Sequence, residues 1–203
     1  MKLFNSPNQQ VRHPLFDASG TITTGGAAQL LLAQSAARSY LLIENLSAGP
    51  LWLEFGCARA TATLSSGAVA SCAITNVGFG FTKAPVVQFL GGGNAGNSSY
   101  LGLNQPNGDA PQLPALGHAV LVANAVSSIV IDQPGTGYVK APYVFMFNND
   151  LDPYGVAVPA TNSGLLLQAN GGSFVMESTT CTTDAVAIFG ATTGQQFACK
   201  WMD

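Results

Sequence analysis

Charge is what this chain has least of. Only 8% of its 203 residues are Asp, Glu, Lys or Arg, against about 25% in an ordinary soluble domain. Helices of soluble proteins place Lys, Glu and Arg on their wet faces, so a chain this poor in charge is not expected to be mainly helical. The same shortage suggests a surface partly covered by a partner. Seven basic residues, scattered along a chain of net charge −3, cannot make a phosphate-neutralising stripe, and nucleic acid is not expected as a partner. Mean hydropathy is positive, +0.28, yet no window holds the run of about 18 apolar residues that a spanning helix needs. No membrane partner is expected. Met1 to Gln10 lacks the apolar centre of a signal peptide, so we expect a protein made and kept inside a cell until assembly. Cys57, Cys72, Cys181 and Cys199 show neither C-x-x-C nor His-paired spacing. They read as buried free thiols, with no metal and no cofactor.

What the chain does have is a phrase said twice. Val69 to Val87 returns as Val126 to Val144, 57 residues later and in register throughout. The shared skeleton is V-x-S-x-x-I, then G-x-G followed by an aromatic, then K-A-P-x-V. β-Branched residues suit a strand, paired glycines permit positive φ in a tight turn, and Ala-Pro opens a second strand without needing a ladder donor. Each copy is therefore expected to be a β-hairpin.

Taken in order, residues 1–24 carry Pro7, Pro14 and several amides without apolar periodicity, and read as an extended N-terminal arm. Gln29 to Ala33 and Arg38 to Asn45 read as strands. Ser47-Ala-Gly-Pro supplies turn chemistry, and Leu51 to Phe55 alternates as a half-buried strand, giving an expected hairpin. The far end matches, with strands expected either side of Gly171-Gly172 and of Ala191-Thr-Thr-Gly. Neither end closes a core alone. Together they make enough strands for a two-sheet sandwich. The expected organisation is an all-β chain: an antiparallel, jelly-roll-like β-sandwich built from both chain ends (25–60 plus 156–203), with an inserted β-hairpin repeat module at 61–155. The two repeats of that module are placed at about 62–93 and 119–150, projecting from one loop of the sandwich.

The flanks carry a resemblance. Gly26 to Ala33, Arg38 to Gly56, Ala169 to Phe174 and Ile188 to Phe197 look like small β-sandwich virion proteins of tailed bacteriophages and prophages. The repeated phrase is similar to a module that recurs in phage structural and fibre proteins. The resemblance covers about 80 residues, split around the insert, and brings no catalytic residues. It implies a non-enzymatic virion component, first a capsid decoration (cement) protein that stabilises the head shell, or alternatively a tail, baseplate or fibre component that binds a host receptor or glycan. Its implied partners are the major capsid protein or other virion proteins, and further copies of itself, with a trimer favoured. The implied location is the virion, assembled in the bacterial host cytoplasm. Interface candidates are the rings and apolar residues of the arm and repeats: Leu3, Phe4, Phe16, Phe79, Phe81, Tyr138 and Tyr143.

Chemistry-bearing motifs are thin. His13 and His118 are the two imidazoles, and neither comes with a nucleophile motif such as G-x-S-x-G. The G-x-G phrases lack a G-K-[ST] ending, and Ala-Pro follows where a helix should start, so they do not read as phosphate loops. Lys83 and Lys140 are expected on the hairpin surface. Asn148 to Asp152, and Asp109, supply oxygen ligands without the glycine and glutamate of an EF-hand, and read first as Asx-rich turns. Glu44 and Glu54 are expected as exposed acids facing across a hairpin. Trp52, Trp201, Tyr138, Tyr143 and Tyr154 are weighed as a sugar-stacking platform against core or interface packing, which is favoured.

Overall fold

Short β-branched and aromatic runs separated by Gly, Pro, Asn and Ser turns become strands throughout. A computed structural model describes residues 14–93, 113–149, 152–159, 164–177 and 180–203, and none of these lies in an α-helix. The N-terminal strands are β1 (Phe16–Asp17), β2 (Gly20–Thr21), β3 (Ala28–Leu32), β4 (Tyr40–Asn45) and β5 (Leu51–Phe55). Those of the repeat region are β6 (Arg59–Ser65), β7 (Ala68–Asn76), β8 (Val86–Leu90), β9 (Leu116–Val122), β10 (Ala125–Gln133) and β11 (Tyr143–Phe147). The chain closes with β12 (Leu165–Leu167), β13 (Ser173–Glu177), β14 (Val186–Gly190) and β15 (Gln196–Met202).

The two chain ends make an antiparallel sandwich. One sheet runs β1-β15-β4-β13, with β2 continuing β1 along the same edge of β15, and the other runs β12-β5-β14-β3. The pairs β4/β5, β12/β13 and β14/β15 each place one strand in each sheet, in matching order. That double wrapping is a jelly roll. The inward alternation of Leu41 and Ile43, Leu51 and Leu53, Val186 and Ile188, and Phe197 and Cys199 fills the space between the sheets.

The tight turns expected to close hairpins are arches instead. β4 and β5, joined by Ser47 to Pro50, never pair, and the same holds for β12/β13 and β14/β15. Two buried amides hold the arches together. Asn45 donates to the carbonyls of Gly49, Leu167 and Gln168 and accepts from Ser47, while Gln195 donates to Pro50 and Ser47. Residues 16–22 also differ from an arm. They lie along β15, and Ile22 is fully buried in the sandwich core.

Between β5 and β12 the two repeats build a second core. β6–β7 and β9–β10 are hairpins closed by the positive-φ pairs Ser66-Gly67 and Ala123-Asn124, the conformation of a type I′ turn. The expected hairpin within each phrase does not form. β7 and β8 are not partners, nor are β10 and β11; the second strands of the two phrases pair with each other, Val86 with Phe147, Gln88 with Phe145 and Leu90 with Tyr143. The copies therefore interlock about a pseudo-two-fold axis between Gln88 and Phe145. Equivalent bonds cross in both directions: Val69 N–H to Pro134 O at 2.9 Å and Val126 N–H to Val77 O at 2.8 Å, and Phe81 N–H to Asn124 O at 3.1 Å and Tyr138 N–H to Gly67 O at 2.9 Å.

The glycine pairs explain the crossover. Gly78 and Gly135 have φ of +63° and +68°, and a Cβ on either would fall within 2.8 Å of the ring three residues on, Phe81 or Tyr138. Each turn thus wraps around its own ring, buries it, and sends the next strand to the other copy. Core positions match pairwise: Ala62 with Ala119, Val69 with Val126, Cys72 with Ile129, Phe89 with Met146. The repeats form a packed module and do not project as a double hairpin.

One asymmetry in that core is testable. The buried Tyr138 hydroxyl accepts from the Ala115 N–H at 2.7 Å, and Phe81 has no counterpart. Tyr138→Phe should cost about 1–2 kcal/mol in urea denaturation, because the Ala115 N–H is left buried and unpaired. An unchanged midpoint would show that this donor finds another partner.

Candidate functional site

β6 and β11 begin as neighbours and then part. Only Tyr143 with Thr61 and Val144 with Ala60 are in register. Beyond them β11 stays with β8, while β6 leads back through Ala58 and Cys57 towards β5. The fork leaves a cleft of about 580 Å³, a size typical of small-ligand sites. Cys57, Ala58, Ala60 and Met146 line its apolar depth, and Arg59, Thr61, Thr75, Tyr143 and Phe145 its rim. A recess of about 240 Å³ adjoins it and reaches Gln34, Asn148 and Asp184.

Strand alternation sets the chemistry of the rim. Val144 and Met146 point into the module core, so Tyr143, Phe145 and Phe147 share the outward face at 74%, 50% and 42% exposure. The Tyr143 and Phe145 rings have centroids 6.3 Å apart and tilt by 56°, which makes a trough of them and not a flat wall. Arg59 is bound to Glu54, so the rim carries no unmatched positive charge from it. Glu54 is buried, its Oε2 has no partner among the described residues, and Glu44 sits in the opposite sheet. The expected pair of exposed acids across a hairpin is not formed. Burial pushes the Cys57 thiol up to about 12, which keeps it protonated and un-nucleophilic at neutral pH. These groups are suited to holding a ligand.

The interface candidates scatter. Leu3 and Phe4 lie outside the described residues, as do His13 and Asp109. Phe16 stacks on Trp201 with centroids 4.4 Å apart. Phe79 is bridged to Val156 and packs between module and sandwich against Ala185 and Ala187. Phe81 and Tyr138 are core residues, 1% and 7% exposed, because the glycine turns fold their rings inward; as surface contacts they are corrected. Of the repeat rings named as candidates, Tyr143 alone is left on the open surface. Its neighbours Phe145 and Phe147 were missed, although their period-two spacing from Tyr143 was visible. The five-ring platform does not assemble: Trp52 packs on Phe189 in one sandwich sheet, Trp201 on Phe16 in the other, and Tyr138 is buried. Lys83 and Lys140 are exposed. His118 lies on β9, with Nδ1 2.9 Å from Asp132 Oδ2.

Asp152 has a structural role. Its Oδ2 accepts the Thr82 and Lys83 N–H groups at 2.6 and 2.7 Å, pinning the first repeat's crossover to the chain returning to the sandwich. Asn76 does the same a few residues away, bonding both backbone groups of Val158 at 2.9 Å. Asn148 donates to Gly155 O, and Asp150 lies outside the described residues. No group of three or more His, Cys, Asp or Glu that could hold a metal is present among the described residues. Comparison with protein-family models, curated proteins and solved structures finds no match to this chain.

Burial works to raise the Asp152 pKa, but the N–H groups of Lys83 and Thr82 outweigh it, and the carboxyl is held below its ordinary 3.8. Asp152→Ala should therefore cost about 1–2 kcal/mol at pH 7, since two part-buried N–H donors lose a charged acceptor. A depressed pKa stabilises fully above the ordinary value and is lost as pH falls through the folded one. The gap between wild type and variant should hold constant from about pH 8 to 5 and shrink below about pH 4. A gap independent of pH down to about 2 would show that the charge contributes nothing.

Proposed function

We propose that the protein is a non-enzymatic structural component of a tailed-bacteriophage particle, attached to the head shell as a decoration protein. The observation that carries this reading is the chemistry of its outward faces. Large apolar side chains stand exposed on both parts of the molecule: Leu165, Leu166 and Val175 on the sandwich, Val122, Val130, Tyr143 and Phe145 on the repeat module. So much apolar surface among so few charges fits a chain that meets other protein over much of its area. The phage-like flanks supply the kind of particle. The titratable groups support it as well, because Arg38, Asp152 and the Glu54–Arg59 pair are engaged in holding backbone and one another. The partners of this reading are the major capsid protein and further copies of the chain, with a trimer as the favoured assembly.

Particles assembled without the protein should lose their shells at lower temperature than complete ones, and adding the purified protein back should restore the difference with saturable stoichiometry. Equal heat stability of the two particles, or labelled protein found on tails and absent from heads, would overturn the decoration role. The second outcome would favour a tail or fibre component.

A further inference from the structure

The duplication supplies a control for which residues the fold needs. Inward positions of the second strands match in kind: Val87 with Val144 and Phe89 with Met146. Outward positions do not. Where the first copy has Val86, Gln88 and Leu90, the second has Tyr143, Phe145 and Phe147. The same strand is thus built without outward rings in one copy and with three in the other, so the rings answer to something outside the fold. They also border the fork cleft, and the first copy's outward residues line neither this cleft nor its adjoining recess.

We infer that the outward face of β11 and the β6–β11 fork form a binding site for a neutral saccharide. Sugars present an apolar C–H face and an edge of hydroxyls, and the site offers a match for both. The tilted rings of Tyr143 and Phe145 receive the C–H face. The hydroxyls of Thr61, Thr75 and Tyr143 stand around it as uncharged hydrogen-bond partners. Neutrality follows from the charges: among the described residues Arg59 is the one ionic group on the cleft lining, and Glu54 already matches it. The trough shape selects a soluble or terminal sugar over a flat crystalline polymer, which needs coplanar rings. The concavity distinguishes the site from a protein-docking sheet, for which an aromatic row without a cleft suffices. The inference goes beyond the structural role above and does not depend on where the chain sits in a particle.

The test uses the full chain on an array of neutral oligosaccharides (glucan, mannan and galactan series) alongside their uronic- and sialic-acid counterparts, followed by titration calorimetry with the best neutral probe. The key variant installs the first copy's residues, Tyr143→Val, Phe145→Gln and Phe147→Leu together. It should keep the wild-type melting temperature and weaken binding at least about tenfold, the loss expected when stacking rings are removed. Should the triple variant fold poorly, Phe145→Gln alone is expected to give the same direction of loss. Three results overturn the inference: no neutral probe bound, binding that survives the substitutions, or a preference for the acidic series. A fourth also does. Wild-type self-association that the triple variant abolishes, with no sugar bound, would assign the face to contacts between copies of the chain.

Discussion

The exchange of backbone hydrogen bonds between the two repeats is the constraint on which the rest depends. Val69 and Pro134, and Val126 and Val77, bond across copies, and β8 pairs with β11. Neither phrase can bury its own ring and its own second strand unless the other is present to receive them. A lone copy would leave β8 as an unpaired edge and half of the module core open to water. The outward face of β11 exists because β8 holds that strand from the other side. The fork exists because β6 can follow β11 for only two residues before it must return to β5.

That dependence extends to the sandwich. The module enters from β5 and leaves towards β12, two strands that pair with each other, so its ends are close and the insert costs the jelly roll little. What orients it is the first repeat's crossover. Asn76, Phe79, Thr82 and Lys83 are all bound to the chain between Asp152 and Val158. The second crossover leans instead on Leu113 to Ala115, through the Thr136 N–H and the Tyr138 hydroxyl. Duplicated turns have thus taken two different jobs, one docking the module to the sandwich and one closing its own entrance.

Strands were legible in the sequence and their partners were not, for a physical reason. A period-two run with a Gly or Pro turn at its end has the same local pattern whether the chain folds back in one sheet or arches to the next. Leu51 to Phe55 announced a half-buried strand correctly. Nothing in Ser47 to Pro50 said that β4 would lie across the core from it. The discriminating groups are Asn45 and Gln195, whose amides join arches far apart in sequence. The repeats failed in the same way: the glycines of G-x-G were read as a turn, correctly, but the ring after them was taken to point outward. Only the close approach of Gly78 and Gly135 to those rings settles the direction.

The same ambiguity explains why Phe81 and Tyr138 were chosen for the surface while Phe145 and Phe147 were passed over. A repeated residue attracts attention, yet in a duplicated fold repetition marks what packing demands of both copies. Buried pairs must stay alike because each fills the same space about one axis. Outward positions are released from that demand, and there one copy can change while its mate preserves the strand. Val86 against Tyr143 and Gln88 against Phe145 are such positions, and the second of these pairs also meets across β8 and β11. In an internally duplicated module, the place to look for binding is therefore where equivalent residues disagree on an exposed face, and here that disagreement falls beside the point where β6 and β11 part after two paired residues.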